Sequence, residues 1–455
     1  MKCLEETRVR VLHSPEREEA RLKVWSARVG DGVIFGGVLA LLLLAPWLYG
    51  SDHGGALLLL GCGTALLLCV WMMEVAVTGV GRWAWSWGHA GMLALLGLAL
   101  LQLAPLPVSV ERFVLPEGEM LFWNRLTRDP AATAAAAAKL AFLLVYFFLL
   151  VLSVRSPLRI RVLAWALIAN GAVLSCLGLL NASSSRELTF WSFPPESLSF
   201  GPYANRAHFS LLVEMIVPLA LARLLAVGIG RRGESPWLIV ALVLMGGAVG
   251  MAASRAGIVL VALQCALVPT VLWWGRHGAR FRPALLRAGV IMGLAVGGGA
   301  WIGGEGVRER IAERFREDAF AVRGEIWRGT LRMIADHPVF GVGLGAFATM
   351  YPRYDEGNGL RYTAEAHNEY LQLLAETGIV GGIIGAAFLI SLLRTVWRSF
   401  SRTVGSRDAH WVVGASAGIV AVLLHSGVDF GLRIPANALV FLSLLTVLLR
   451  LDRER

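Results

Sequence analysis

The chain has 455 residues, of which 56% are apolar and only 16% are charged. Soluble domains carry about 25% charged residues, and apolar runs long enough to cross a bilayer recur along this chain, so the composition excludes a soluble enzyme, a secreted disulfide scaffold and a disordered protein. The net charge of +10 does not indicate nucleic-acid binding, because excess arginine in a membrane protein usually marks cytoplasmic loops.

The apolar runs predict an all-α polytopic membrane protein with about twelve transmembrane helices. The predicted spans are 32–50, 54–76, 87–106, 131–153, 162–180, 207–228, 236–252, 256–274, 288–304, 378–393, 409–427 and 435–450. They divide the chain into a cytoplasmic tail (1–31), spans one to nine (32–304), one large helical loop (305–377), spans ten to twelve (378–450) and a short tail (451–455). The first tail is too long and too acidic to be the start of a signal peptide.

The arginines of the short loops predict the orientation, because cytoplasmic loops collect arginine and lysine. One set of loops holds fourteen arginines, among them Arg82, Arg159 and Arg402, and the opposite set holds six. The richer set is predicted to be cytoplasmic, together with both tails. The loop 305–377 then faces the periplasm, and chemistry on water-soluble groups is expected there because it is the only sizeable polar segment.

The periplasmic loop is predicted to contain a helix over 307–336 that ends near Pro338. Its apolar stripe is formed by Ile326, Trp327, Leu331 and Ile334. Arg323 lies one turn before Trp327, which directs its guanidinium toward the membrane domain. The glycines 341, 343 and 345 indicate a tight turn rather than a nucleotide site, because they do not match GxGxxG and no strand precedes them.

Two residues at the outer membrane boundary have both a structural and a functional interpretation. His367 could simply hydrogen-bond the loop, or it could act as a general base, since imidazole titrates near working pH. Arg255 lies in a connection of a few residues between two spans. It could extend to phospholipid headgroups, or it could bind an anionic partner, as intramembrane charges usually do.

A third group lies at the outer start of the sixth predicted span, where Arg206 and His208 are adjacent to a membrane helix and Glu214 is a candidate partner for an arginine. Arginine matches phosphate oxygens bidentately and keeps its charge. Arg206, Arg255, Arg323 and His367 together therefore suit a lipid-linked diphosphate as leaving group and a hydroxyl as nucleophile. No metal is predicted, because the sequence has no CxxC, no Cys/His ligand spacing and no HExxH.

These residues lie in motifs that together resemble the O-antigen ligase and O-antigen polymerase superfamily of bacterial inner-membrane proteins. The motifs are FGPYANRAHF (200–209), SRAG (254–257), Arg323 before Trp327, DHP (336–338) with GVGLG (341–345), HNEYL (367–371) with ETG (376–378), and HSGVDF (425–430) with IPANA (434–438). The resemblance covers about 200–440. Ala207, between Arg206 and His208, departs from the family's asparagine-rich form.

The resemblance implies a twelve-span enzyme of the inner membrane whose active site faces the periplasm, without cofactor, metal, nucleotide or nucleic-acid partner. Its donor would be a glycan linked to undecaprenyl diphosphate, and its acceptor either lipid A–core or another lipid-linked glycan. The matching arginines, Arg255 and Arg323, would engage the diphosphate, and His367 would assist the acceptor. Arg206, His208, Asn368 and Tyr370 would contact substrate.

The sequence leaves several activities open. Ligation to lipid A–core is favoured, and polymerisation from the same donor is the close alternative. A protein O-glycosyltransferase is a third option. A transporter of lipid-linked sugars would place charged residues along a path through several spans, whereas the polar residues here gather toward one side, which favours a one-sided catalytic site.

Overall fold

The computed structural model describes residues 15–105, 125–183, 191, 199–228, 233–274, 282–302, 319–356, 362–403, 406 and 408–453. Within these ranges the chain is helical and contains no strand, which confirms the predicted all-α class. The parts of the predicted tails and loop at 1–14, 305–318, 357–361 and 454–455 lie outside the described residues.

The helices of the described residues are α1 (Pro15–Leu44), α2 (Gly54–Thr78), α3 (Trp87–Leu103), α4 (Pro130–Ser153), α5 (Pro157–Ser183), α6 (Arg206–Val227), α7 (Ser235–Ala252), α8 (Arg255–Trp274), α9 (Arg282–Ile302), α10 (Ala319–Asp336), α11 (Phe347–Met350), α12 (Glu369–Thr403), α13 (Ala409–His425) and α14 (Pro435–Arg453). Helices dominate because, in lipid, a single segment can satisfy its backbone hydrogen bonds only by forming a helix.

Twelve apolar helices coincide with the twelve predicted spans. Among the described residues, nine helices are long and apolar enough to cross a membrane, and three shorter apolar helices lie in α3, α9 and α13. The protein is therefore multi-pass.

Helices α6 and α14 occupy the centre of the bundle, where nearly all their side chains are buried. Helix α6 packs against α13, α7 and α8, and small residues allow the close approach. A Cβ atom on Gly257 of α8 would lie 2.9 Å from Cβ of Ser210, and one on Gly418 of α13 would lie 2.7 Å from the carbonyl oxygen of Met215. Glycine at such contacts is typical of membrane helix packing.

The large loop was predicted to end at residue 377, and α12 begins before that boundary, at Glu369. Residues 369–377 form a helical segment before a kink at Gly378, whose φ of 61° and ψ of −160° form a conformation that glycine adopts without strain. The predicted boundary coincides with this kink, and it stays a prediction. Gly341, Gly343 and Gly345 all have positive φ, so the predicted tight turn is confirmed.

Helix α10 (Ala319–Asp336) covers the described part of the helix predicted over 307–336, but its buried face differs from the predicted stripe. Leu331 is 53% exposed, whereas Thr330 and Met333 are buried. Ile326 and Ile334 pack against the cluster that contains Met333. The stripe therefore follows 326, 330 and 333, and Leu331 lies one helical position (about 100°) beyond it.

Candidate active site

A polar cluster lies at one end of the helix bundle, where the chain enters or leaves five helices. It contains Arg206 and His208 at the start of α6, Arg255 at the start of α8, Arg323 of α10, His367 before α12, His425 at the end of α13 and Asp429 between α13 and α14. Residues more than 200 positions apart in the chain thus meet in the fold.

Asp429 is the centre of this cluster. Its Oδ1 lies 3.4 Å from Nδ1 of His367, and its Oδ2 lies 3.8 Å from Nε2 of His208 and 3.7 Å from Nε2 of His425. The Asp429 side chain is 4% exposed, whereas that of His367 is 34% exposed. The carboxylate is thus buried behind a histidine that remains accessible.

The electrostatics of Asp429 and Arg323 connect the cluster to α10. Burial raises the pKa of Asp429, but its interactions with His367, His425 and His208 outweigh burial and hold that pKa below its usual range. Burial lowers the pKa of the Arg323 guanidinium, Asp429 raises it, and Arg255 lowers it. Arg323, Arg255 and Asp429 are therefore close enough to interact electrostatically, and the roles predicted for the two arginines stay predictions.

The backbone of His367 adopts a left-handed conformation, with a φ of 50°. That conformation is uncommon for a residue other than glycine, and it persists only where its surroundings fix it. Here Trp327 Nε1 donates to the carbonyl of Ala366 at 3.0 Å, and the Glu369 N–H donates to the carbonyl of Ser426 at 2.9 Å. Helix α10 and the end of α13 thus set the direction of the imidazole.

Asn368 and Tyr370, predicted to bind substrate, make hydrogen bonds within the protein. Oδ1 of Asn368 accepts from the N–H groups of Tyr370 and Leu371 and so caps α12, while Nδ2 donates to Gly427. Tyr370 Oη donates to the carbonyl of Leu423 at 2.7 Å. These contacts favour loop positioning, and the substrate role of both residues stays a prediction.

Arg206 and His208 occupy the first turn of α6, and both are buried. The His208 ring meets Phe430 edge-on, with centroids 4.6 Å apart, and the same Phe430 ring meets His367 at 5.0 Å. The Phe430 ring therefore contacts both histidines. The substrate roles of Arg206 and His208 also stay predictions.

Glu214, considered from sequence as a partner for an arginine, contacts a histidine. Its Oε2 lies 2.9 Å from Nδ1 of His425 on α13. His425 and Asp429 were noted only as part of a motif. Their spacing of four residues at the end of a span was a usable signal, because residues i and i+4 share a helix face.

A second charged cluster lies next to the first. Arg433 binds Glu376 through two parallel contacts of 3.1 and 3.0 Å, and its Nε donates to Glu369 at 3.2 Å. Glu365 lies 3.7 Å from Arg433, and Lys139 Nζ donates to the Arg433 carbonyl at 3.0 Å. We call these residues the Arg433 cluster. It joins the first turns of α12, and Glu365 just before them, to the loop before α14.

Within the described ranges, no group of three or more His, Cys, Asp or Glu residues is arranged to hold a metal ion. Metal independence stays a prediction.

Together, the fold and the cluster define a polytopic helical membrane protein with a partly buried polar site at one end of its bundle. Residues 240–386 match the family model described as O-antigen ligase. This range includes Arg255, Arg323, His367, Asn368 and Tyr370.

A curated relative, the O-antigen ligase of Pseudomonas aeruginosa strain PAO1, is 28% identical over 279 residues, which are 61% of this chain and 62% of the relative. The chain thus matches about three fifths of that protein's length. Both sequence matches support the O-antigen ligase superfamily, and the resemblance predicted from the motifs is confirmed.

A chain in the solved structure described as "Structural coordination of polymerization and crosslinking by a peptidoglycan synthase complex" is 17% identical, with a TM-score of 0.41, and the match covers 82% of this chain and 98% of that one.

Proposed function

We propose that this protein transfers a glycan from undecaprenyl diphosphate to an acceptor sugar at the periplasmic face of the bacterial inner membrane, and that the acceptor is lipid A–core. The observation that carries this proposal is the meeting of Arg255, Arg323 and the His367–Asp429 pair at one end of an apolar bundle. The family match supports the O-antigen ligase class.

The arginines suit the leaving group. Breaking the bond between the anomeric carbon and the diphosphate leaves negative charge on the phosphate oxygens, and fixed cations in a water-poor site stabilise that charge. Guanidinium groups do so with paired N–H donors that match phosphate geometry. In this account Arg255 and Arg323 take the role that a divalent ion has in other glycosyl or phosphoryl transfers.

His367 suits the nucleophile. Asp429 contacts Nδ1 of the imidazole, so Nδ1 carries the proton and Nε2 keeps a lone pair. Nε2 can then accept the proton of the acceptor hydroxyl while the hydroxyl oxygen attacks the anomeric carbon and the diphosphate departs. A buried carboxylate that orients an imidazole is the arrangement used by hydrolytic triads.

An apolar cavity of about 240 Å³ lies between α8, α12 and α13 and suits part of the lipid carrier. Its walls include Leu263, Trp397 and Phe400, and toward the polar cluster they include Gln264 and Leu424. Leu424 directly precedes His425. A hydrocarbon segment of the donor in this cavity would leave its diphosphate at the polar end of the bundle.

The orientation of the site is supported by arginines at the opposite end of the bundle. Arg82 and Arg159, predicted to be cytoplasmic, both form ion pairs with Asp31, at 3.6 and 2.7 Å, and Arg402 pairs with Asp452 at 2.8 Å. A periplasm-specific reporter enzyme fused near residue 350 should be active. Activity of a cytoplasm-specific reporter at that position would contradict the proposed side.

Deletion of the gene, with profiling of glycolipids, tests the function itself. If the protein is a ligase, lipid A–core loses its polymer and polymer accumulates on the undecaprenyl carrier. Single repeats on lipid A–core would instead indicate a polymerase, and an unchanged profile would contradict both. Complementation by the wild type and by His367→Ala assigns the effect to this site.

A further inference from the structure

Behind Asp429, on the side away from His367, lies a second charged pair that the proposed chemistry does not use. Glu214 Oε2 and His425 Nδ1 are 2.9 Å apart, and these side chains are 0% and 1% exposed. Glu214 lies on α6, two turns deeper in the bundle than Arg206. Charged groups at such depth are costly and usually functional.

His425 joins two carboxylates. Its Nδ1 contacts Glu214, and its Nε2 lies 3.7 Å from Oδ2 of Asp429. A carboxylate near each ring nitrogen favours the imidazolium form, because its positive charge is attracted to both carboxylates. The geometry therefore describes an alternating series of charges, from the Glu214 carboxylate through the His425 imidazolium to the Asp429 carboxylate.

Three helices hold this pair in place. Nε2 of Gln264 on α8 donates to the backbone carbonyl of Glu214 at 2.8 Å. Helix α8 also passes close to the Glu214 carboxylate, because a Cβ atom on Gly257 would lie 3.0 Å from Oε1 of Glu214. Helix α13 supplies His425 itself. Any displacement of the pair would therefore move the contacts between α6, α8 and α13.

We infer that Glu214 and His425 are positioning residues for the proposed transfer: they hold the Asp429 carboxylate in place and share its charge, so that less of that charge acts on the His367 imidazole. This inference rests on the proposed function. The titratable and charged groups that face the pair and Asp429 are His208 on α6, Arg255 on α8, Arg323 on α10 and His367 before α12.

The inference predicts a specific change when the charge of Glu214 is removed. In Glu214→Gln, His425 loses one of its two carboxylates, and its imidazolium form is less favoured. Asp429 then has one cationic neighbour fewer, and its charge favours the protonated form of His367. Because a general base works only when neutral, the acid limb of the pH–rate profile should move about one pH unit higher. The KM for donor should stay the same.

The experiment compares matched variants in lipid nanodiscs, with an undecaprenyl-diphosphate-linked glycan as donor and purified lipid A–core as acceptor. The test variants are Glu214→Gln, which removes the charge, Glu214→Asp, which keeps it, and His425→Gln. The controls lie at the opposite end of the bundle. His410→Gln changes a buried histidine on the same helix, next to Arg223, and Glu74→Gln changes a buried carboxylate paired with Arg82.

We expect kcat to fall and the acid limb to move in Glu214→Gln and His425→Gln, with Glu214→Asp restoring the wild-type limb. The two controls should keep the wild-type profile even if they lower thermal stability. Superimposable pH profiles for Glu214→Gln and the wild type would overturn the inference, as would an equal displacement in the controls.

A second readout needs no substrate. Histidine ¹⁵N spectra, assigned with His367→Gln, report the protonated fraction of His367 at pH 7, which should rise in Glu214→Gln and not in His410→Gln. If the wild type transfers no glycan but this change appears, the proposed function fails and the positioning role stands. If transfer occurs without the change, the positioning role fails. Where Glu214→Gln does not fold, His425→Gln gives the same comparison.

Discussion

Two charged clusters lie beside the start of α12 and the loop before α14, and they differ in how closely their charges are paired. In the Arg433 cluster, both oxygens of Glu376 are bound by one guanidinium at 3.0–3.1 Å, although Oε1 of Glu369 lacks a hydrogen-bond partner among the described residues. In the Asp429 cluster the contacts to Asp429 are longer, at 3.4–3.8 Å. There, within the same ranges, Nε2 of His208 and Oδ2 of Asp429 lack a hydrogen-bond partner.

This difference separates a structural role from a chemical one. Burial lowers the pKa of Arg433, but Glu376, Glu365 and Glu369 together raise it well above its usual range, so the charges of this cluster are committed to one another. Buried polar atoms without partners are costly and are kept mainly where a substrate or a proton will use them. We therefore expect the Arg433 cluster to govern stability and the Asp429 cluster to govern turnover.

The largest expected effect is on turnover in Asp429→Asn. The amide can donate to Nδ1 of His367 and so favour the wrong tautomer, which should lower kcat by about 10²–10⁴-fold while donor binding and thermal stability remain. Initial rates and a thermal-unfolding scan on the same preparation measure both. If Asp429→Asn lost stability in proportion to activity, Asp429 would have a structural role, like the Arg433 cluster.

Next in size is the effect of Arg433→Met on stability. The fully buried Glu376 would lose its cation, and removing one partner of a buried ion pair costs about 3–5 kcal/mol. Denaturation in mild detergent should show the loss. The double variant Arg433→Met/Glu376→Gln should recover part of it, because no uncompensated Glu376 charge remains. An Arg433→Met protein of normal stability but low activity would show that the Arg433 cluster governs turnover and would contradict this account.

A smaller effect is expected for the two arginines of the site. Arg323→Lys and Arg255→Lys keep the charge but lose the planar pair of donors, so transfer should fall about 10–100-fold, a loss comparable to one removed transition-state donor or less. Arg332→Lys is the control on the same helix, since Arg332 is half-exposed and paired with Glu356. Normal transfer rates in both Arg323→Lys and Arg255→Lys would indicate that these two arginines have a structural role.

The smallest effect concerns Asn368, whose side chain caps α12. Asn368→Ala should lower the free energy of unfolding by about 1 kcal/mol through loss of the cap. The KM for acceptor should change little, because the side-chain contacts of Asn368 lie within the protein. A large rise in KM without loss of stability would support the substrate role predicted from sequence.

The helices and several site residues could be predicted because lipid imposes a simple rule on sequence. Spans must be apolar and helical, so polar residues next to a predicted span, such as Arg255 and His367, can be recognised in the sequence. Asp429 did not stand out, because an aspartate in a short loop usually contacts water. Its contacts with His208 and His367 join residues 221 and 62 positions away, and no local pattern contains that information.

Boundaries were harder to predict for a different reason. Gly378 was predicted as the first residue of a span, and in the fold it lies at a kink inside the longer helix α12. Leu331 was placed on the buried face because it is apolar, but α10 turns Thr330 and Met333 inward instead. In both cases tertiary packing decided between arrangements that the sequence allows.

The most direct test of the account is glycan transfer by the purified protein in proteoliposomes that contain EDTA. The substrates are an undecaprenyl-diphosphate-linked glycan and lipid A–core, and wild type is compared with His367→Ala at equal amounts. The account predicts metal-independent transfer by the wild type that falls below about pH 6, where imidazole becomes protonated, and a loss of about 10²–10⁴-fold in His367→Ala. Transfer that requires added Mg²⁺, or full activity of His367→Ala, would contradict it.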